Sequence, residues 1–205
     1  MNNETIFRII FFTTFIAVLA IRFYFGWKIR QRDESSWFVE KEAVKREGLW
    51  SIILRLLLFL WMMAAFILYT INPTWVQLFV VPFPTWIRWL GAGLAIVSLP
   101  LLVRVHATLG RHWSTNLQFK ESHALITAGP YRWVRHPMYT VLFSFFIGLG
   151  LLSANALMLG LVVIAVVVIG ARIPKEEAMM VAQFGDVYQA YMQRTGRLLP
   201  RLGRQ

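Results

Sequence analysis

The sequence predicts an all-α integral membrane protein with about five transmembrane helices, the last two folded into a tight hairpin, followed by a C-terminal cytosolic region. Three observations predict it. Hydrophobic residues make up 58% of the 205 and charged ones only 15%, far from the balance of a soluble domain. Uncharged apolar runs recur, long enough to cross a hydrocarbon core of about 30 Å. The 21 Lys and Arg against 10 Asp and Glu, a formal charge of +11, sit mostly beside those runs, where the positive-inside rule and anionic headgroups account for them.

The first apolar segment runs from Thr5 to Trp27. Arg8 and Arg22 stand near its ends, where long stems carry the charge toward the interface. It has no basic stretch before it and no small-residue cleavage site, so it is expected to be a retained span rather than a signal peptide. Lys28 to Gly48 is dense in both signs of charge and reads as a solvated loop. The second span, Leu49 to Ile71, carries only Arg55 and stops at Asn72-Pro73, which cannot continue a helix. The third runs from Thr85 to His106, with Trp86, Arg88, Trp89 and Arg104 as interface anchors and Pro100 as a kink site.

From Met138 to Ala171 there is no charged residue. As one helix those 34 positions would reach about 51 Å, too long for the bilayer. The chain must fold back, and Ser153-Ala154-Asn155 is the best break. Gly148, Gly150, Gly160 and Gly170 are then positions where neighbouring helices can approach closely. Placing the cationic segments on one side puts the N-terminus outside, Lys28 to Gly48 inside, and both Ala107 to Pro137 and the tail after Arg172 inside.

Several functions are excluded or disfavoured. The basic charge is used up by membrane topology, so nucleic acid is not an expected partner, whereas membrane lipids are. The chain has no cysteine, which removes disulfides, thiolate nucleophiles and Cys-based metal sites. His106, His112, His123 and His136 show no compact ligand spacing, so no metal is expected. There is neither a P-loop nor a dinucleotide-binding glycine motif. Nothing in the sequence sets the oligomeric state.

Three polar clusters remain. Arg135-His136-Pro137-Met138-Tyr139 stands where a cytosolic loop enters the fourth span, and Pro137 pushes His136 toward an extended backbone. This corner either presents a ring and a hydroxyl to a ligand or simply anchors a span end. Arg172 through Glu177 follows the fifth span. Pro174 suits the start of a new helix with Glu176 and Glu177 in its first turn, and Glu176 lies four residues from Arg172. The cluster is either a capped surface helix or a shared polar pocket at the membrane surface. Gln118 to Ile126, then Ala128-Gly129-Pro130-Tyr131, reads as an extended strip or short strands before a turn. It is either a connector or a ledge for a flat ligand.

Taken in order, His123-Ala124-Leu125-Ile126, Gly129-Pro130-Tyr131, Arg135-His136-Pro137-Met138-Tyr139 and Arg172 through Glu177 strongly resemble the isoprenylcysteine carboxyl methyltransferase family. The tail Phe184 to Tyr191, with Thr195-Gly196-Arg197, is similar too, so the likeness covers Leu109 to Pro200. The RHPxY-then-EE arrangement is shared with phospholipid methyltransferases and marks the superfamily more than the substrate.

The resemblance implies a helical membrane fold enclosing S-adenosyl-L-methionine at the cytoplasmic face, with S-adenosyl-L-homocysteine as product and a lipid-side opening for a lipophilic small molecule or lipidated substrate. It implies cofactor contacts from Gln118, His123, Ala124, Leu125, Ile126, Tyr131, His136, Pro137, Met138, Tyr139 and Glu176. Arg172 matches the position tied to the substrate carboxylate and to catalysis, with Glu176 beside it. Residues 1–106 are then a scaffold of three spans on the substrate side, and 107–205 the cofactor-binding catalytic region of the same membrane domain. The short chain looks like prokaryotic homologues, hence an inner-membrane location with the site on the cytoplasmic side. The implied reaction is carboxyl O-methylation of an isoprenylcysteine-like or other lipophilic carboxylate. Phospholipid amine and thiol acceptors are the sister readings. A lipid-binding scaffold or transporter subunit, and a sterol-type reductase, are the rivals from other classes.

Overall fold

The computed structural model describes residues 2–31, 49–71, 74–110 and 125–201. Within them the chain is helical: α1 Asn3–Arg30, α2 Leu49–Ile71, α3 Thr85–Leu109, α4 Pro137–Ser153, α5 Ala156–Gly170, α6 Ile173–Phe184 and α7 Asp186–Arg194. Short 3-10 turns lie at Thr74–Phe79 and Gly129–Arg132. The second predicted span has the bounds of α2, and α3 continues through Pro100 and three residues past His106.

Among the described residues, three helices are long and apolar enough to cross a membrane: Asn3–Lys28, Thr85–Leu109 and Ala156–Phe184, the last running through α5 and α6. Leu56–Ile71 and Pro137–Ser153 are apolar but shorter. Large apolar side chains turned outward, such as Phe23, Leu56, Val163 and Val167, are what a lipid solvent asks for and water does not. The chain is an integral membrane protein.

The chain does fold back at the predicted break. Ala154 takes a left-handed conformation (φ 48°, ψ 42°), and the Asn155 side chain caps α5 by accepting from the Leu157 N–H at 3.0 Å. The turn is tied to the 74–83 connection, where the Asn155 amide donates to the Val76 carbonyl at 3.2 Å and the Val81 N–H to the Ala154 carbonyl at 2.8 Å. These bonds satisfy polar backbone that would be costly to leave open at membrane depth.

Lipid is as apolar as leucine, so helices in it are joined by close packing rather than by hydrophobic exclusion. The tightest pair is α3 with α4. A Cβ built on Gly91 would lie 2.7 Å from the Gly148 carbonyl oxygen, and one on Gly148 would lie 2.7 Å from the Gly91 carbonyl oxygen. Only hydrogen fits at that crossing. Gly150 faces Leu159 and Val162 across the hairpin at 3.1 and 3.3 Å. A Cβ on Gly160 would meet nothing within 4 Å and one on Gly170 only Phe143, at 4.0 Å, so two of the four glycines singled out in sequence serve close approach.

α1 packs on α3 and α4 through a stripe of buried residues at steps of three and four, Phe7, Phe11, Thr14, Phe15 and Val18. Across to α2, Phe15 stacks on Phe66 at 4.4 Å and Phe11 meets Tyr69 at 4.6 Å. At the Glu4 end of the bundle, Arg88 of α3 joins three helices. It donates to Glu4 of α1 at 2.6 Å and to the Leu152 carbonyl of α4 at 3.0 Å, with its guanidinium over the Phe7 ring. Starts of α1 and α3 thus meet the end of α4, as an alternating up-and-down bundle requires.

Candidate active site at the far end of the bundle

The opposite end collects the other polar side chains. Pro137 opens α4, lacking an N–H that a first turn cannot use. The preceding residue, His136, has φ −122° as expected of an extended position, but its ψ of 57° falls short of full extension. It caps the helix start: its carbonyl accepts the first bond of α4 from the Thr140 N–H at 3.1 Å, while its own N–H donates to the Arg197 carbonyl at 3.1 Å. Pro174 likewise lies in the first turn of α6, as predicted, with Glu176 in that turn, whereas Glu177, expected there too, falls just beyond it because the helix begins one residue earlier, at Ile173.

A strap after α7 holds this corner. Arg135 N–H donates to the Gly196 carbonyl at 2.9 Å, and Gly196 N–H to the Trp133 carbonyl at 3.2 Å. Thr140 donates its hydroxyl proton to the Leu198 carbonyl at 2.6 Å. Tyr191 on α7 donates to the Tyr131 carbonyl at 2.6 Å, and Arg135 caps the end of α7 through the carbonyls of Met192 and Thr195.

Two neighbouring carboxylates occupy the corner in different ways. Glu177 is buried and saturated: one oxygen accepts from Arg135 Nε at 2.9 Å and stands 3.3 Å from His136 Nε2, and the other accepts from Arg197. Glu176 is more open. Tyr139 donates its hydroxyl proton to Glu176, His136 Nδ1 lies 3.6 Å away, and Arg172 Nη2 lies 3.7 Å away across one helical turn. His136 therefore stands between the two carboxylates, one ring nitrogen toward each.

Burial pushes His136 down to about 4, against the opposing pull of Glu177, so its ring is neutral at pH 7. Burial pushes the Tyr191 hydroxyl up to about 12 and raises Tyr131 and Tyr188 as well. None of these phenols is a proton acceptor near neutrality. The bond to Glu177 raises Arg197, which stays charged.

The structure thus brings together His136, Tyr139, Arg172 and Glu176. Tyr131 is buried beside them, its hydroxyl within electrostatic reach of Glu176. Pro137 is buried at the helix start and Met138 packs partly buried against the helix core. Leu125 is in irregular chain, and Ile126 in the same stretch packs against that core. No strand forms between 125 and 136: the stretch is irregular chain and a 3-10 turn, with an isolated bridge from Val134 to Gly196. Gln118, His123 and Ala124 lie outside the described residues, as does His112.

Four participants were not among the expected site residues: Glu177, Arg135, Arg197 and Arg22. Arg135 suited an interface anchor, yet its side chain is 8% exposed and ion-paired with Glu177. Arg197 arrives from the tail, twenty residues past its partner. Arg22, expected to snorkel, lies within electrostatic reach of Tyr139 and His106. The doubled glutamate was the available signal for Glu177, and the Thr195-Gly196-Arg197 triplet for the strap.

Residues 91–182 match the model of the "Isoprenylcysteine carboxyl methyltransferase (ICMT) family". A protein-S-isoprenylcysteine O-methyltransferase of Tribolium castaneum is 32% identical over 62% of this chain and 49% of its own length. A methanethiol S-methyltransferase of a Pseudomonas species is 28% identical over 73% of this chain and 56% of its own. The solved structure of the eukaryotic intramembrane Ras methyltransferase ICMT superposes with a TM-score of 0.55 at 26% identity, covering 68% of this chain and 50% of that one. The chain spans about half the length of the relatives it matches.

Proposed function

We propose, from the match of residues 91–182 to the isoprenylcysteine carboxyl methyltransferase family, that the chain is an S-adenosylmethionine-dependent membrane methyltransferase acting on the carboxylate of a lipophilic acceptor. The observation that carries the reading is the convergence of Tyr139, His136 and Arg172 on Glu176 inside the matched segment, at the end of an apolar helix bundle. In this reading 1–106 form the substrate-side scaffold, 107–205 hold the cofactor, and the site faces the cytoplasm of a prokaryotic inner membrane.

The side chains present suit that cofactor. It is a cation with an ammonium, a sulfonium and ribose hydroxyls, and when bound it supplies an electrophilic methyl group. Glu176 is the open carboxylate to meet the ammonium or a hydroxyl, and the Tyr139 ring with the neutral His136 ring gives π-faces for the sulfonium or the adenine. Tyr131, Pro137 and Met138 line the same corner, and Gln118, His123, Ala124, Leu125 and Ile126 complete the set that the family likeness assigns.

A carboxylate acceptor is already ionised at neutral pH, so the protein has no proton to remove. What remains is orientation and exclusion of water. Arg172 is suited to grip the acceptor carboxylate through paired N–H groups, and its link to Glu176 sets acceptor and cofactor in one frame. A second reading, a thiol acceptor, draws support from the Pseudomonas relative. It needs a proton sink, for which Glu176 and the neutral His136 are the groups at hand.

The test is methyl transfer. Purified full-length chain in lipid nanodiscs is given labelled S-adenosylmethionine and S-farnesylcysteine analogues. The expected product is a base-labile methyl ester, and Arg172→Ala is expected to lower kcat by about 10²–10³. A base-stable product would move the reading to a thiol or amine. Absence of both transfer and S-adenosylhomocysteine binding would refute it.

A further inference from the structure

The inward stripe of α1 does not end in apolar side chains. Four residues beyond buried Val18 comes Arg22, partly buried, and three beyond that Phe25 stacks on the His106 ring of α3 at 4.9 Å. Positions three and four apart share a helix face, so Arg22 is on the side that Val18 and Phe25 turn toward α3 and α4. Its guanidinium accordingly lies within electrostatic reach of Tyr139 and His106. Tyr139 in turn donates to Glu176, which Arg172 approaches from the α5–α6 junction. A cation on this inward face, four residues past buried Val18 and three before Phe25, marks a functional position unless it reaches the interface.

Deeper in the bundle the surroundings change from polar to apolar. Tyr139 stacks on Phe143 at 6.1 Å, and further along α4 Phe146 joins Phe11, Phe15 and Phe66 in lining an apolar cleft between α1, α2, α4 and α5. Arg22 sits where the polar corner meets this greasy interior. A ligand that fits both sides is an amphiphile whose charged end is an anion.

We propose that Arg22 is a substrate-positioning and specificity-determining residue: it holds the anionic reacting end of an amphiphilic acceptor from the α1 side, so that the enzyme selects an ionised carboxylate over a neutral thiol or amine. The inference rests on the methyltransferase reading above. Arg22 lies outside the segment matched to the family, 91–182, so the likeness does not supply this role. The acceptor is then gripped between guanidiniums from the two halves of the chain, Arg172 and Arg22. Recognition by charge also explains how a site with such an apolar approach rejects ordinary neutral lipid.

The test reads binding as well as turnover. Full-length wild type, Arg22→Lys, Arg22→Gln and Arg22→Met in nanodiscs are titrated with N-acetyl-S-farnesylcysteine, with its methyl ester, and with S-adenosylhomocysteine. Wild type is expected to prefer the free acid over the ester by about tenfold or more, the value of one charge-assisted hydrogen-bond pair. Arg22→Gln and Arg22→Met keep only the smaller preference that Arg172 supplies, Arg22→Lys keeps most of the wild-type value, and all three bind S-adenosylhomocysteine within about twofold of wild type. In turnover the neutral variants raise the KM for the acid far more than they change kcat. Equal loss of acid and ester binding, or a fall in S-adenosylhomocysteine affinity with the acid preference intact, would overturn the proposal. Should wild type show the acid preference and Arg22→Gln keep it in full, this inference alone fails; should wild type bind no S-adenosylhomocysteine, the methyltransferase reading fails instead.

Discussion

The two ends of the helix bundle both hold arginine and glutamate, and they use them differently. At the Glu4 end one carboxylate serves Arg88 and Arg8, and Arg88 also donates to a backbone carbonyl. Its side chain is 44% exposed, and the result is a staple joining α1, α3 and α4. At the other end two adjacent carboxylates divide the work. Glu177, 5% exposed, absorbs Arg135, Arg197 and a nitrogen of His136. Glu176, 21% exposed, accepts the Tyr139 hydroxyl proton and has longer contacts with Arg172 at 3.7 Å and His136 at 3.6 Å. The buried carboxylate fastens the corner, and its more exposed neighbour is, in the proposed reading, the one that meets the cofactor. The contrast separates ion pairs that fasten helices from ion pairs that frame a site.

The largest expected structural effect is at Glu177. Glu177→Ala leaves Arg135 buried without its counter-ion and releases the strap, which should cost about 3–5 kcal/mol of stability. Denaturant titration of the reconstituted protein reads it, and a loss below about 1 kcal/mol would mean that the pairing does not fasten the corner.

Next in size is the helix crossing near the Glu4 end. Gly148→Ala drives a methyl into the Gly91 carbonyl and the Ala95 N–H and should cost about 1–3 kcal/mol. Gly160→Ala meets nothing within 4 Å and should stay within about 0.5 kcal/mol. Thermal melts of the pair decide it; similar melting temperatures would remove the crossing as the determinant.

The pH dependence singles out the site end. His136 is held at about 4, chiefly by burial, from an ordinary 6.5. Between those values the unfolded chain takes up a proton that the folded chain refuses, so stability falls as pH drops from 6.5 toward 4 and this contribution levels off below. The slope for one proton is at most about 1.4 kcal/mol per pH unit. Wild type should show it over that window and His136→Gln should lack it. An identical profile would mean that His136 ionises freely when folded.

The smallest effect belongs to the staple. Glu4 is exposed enough that Glu4→Gln should cost at most about 1 kcal/mol and leave cofactor affinity untouched. A change in S-adenosylhomocysteine affinity in that variant would erase the distinction between the two ends.

What the sequence made legible follows from bilayer dimensions and backbone chemistry. An uncharged run too long for the membrane had to break, and Ser153-Ala154-Asn155 was where it could. Pro137 and Pro174 mark helix starts because each lacks an N–H. Long-range pairing was not legible. Arg135 and Glu177 are 42 positions apart, and no local pattern says that they meet. Gly148 and Gly160 look alike in sequence and differ only in which face meets a neighbour. Arg22 had two open directions, out toward the interface or in along the stripe, and only the packing of α1 on α3 and α4 chooses between them. The site core of His136, Tyr139, Arg172 and Glu176 was expected through family likeness, with local pattern agreeing but unable to require it.

The central claim is that the Glu176 end, and not the Glu4 end, holds the cofactor. The direct measurement is the melting temperature of wild type, Glu176→Gln and Glu4→Gln in nanodiscs with and without S-adenosylhomocysteine. At a hundred times its dissociation constant the ligand should stabilise wild type by about 2.7 kcal/mol, and Glu4→Gln by the same amount, while Glu176→Gln keeps little of the shift. No shift in wild type, or an undiminished one in Glu176→Gln, would contradict the account.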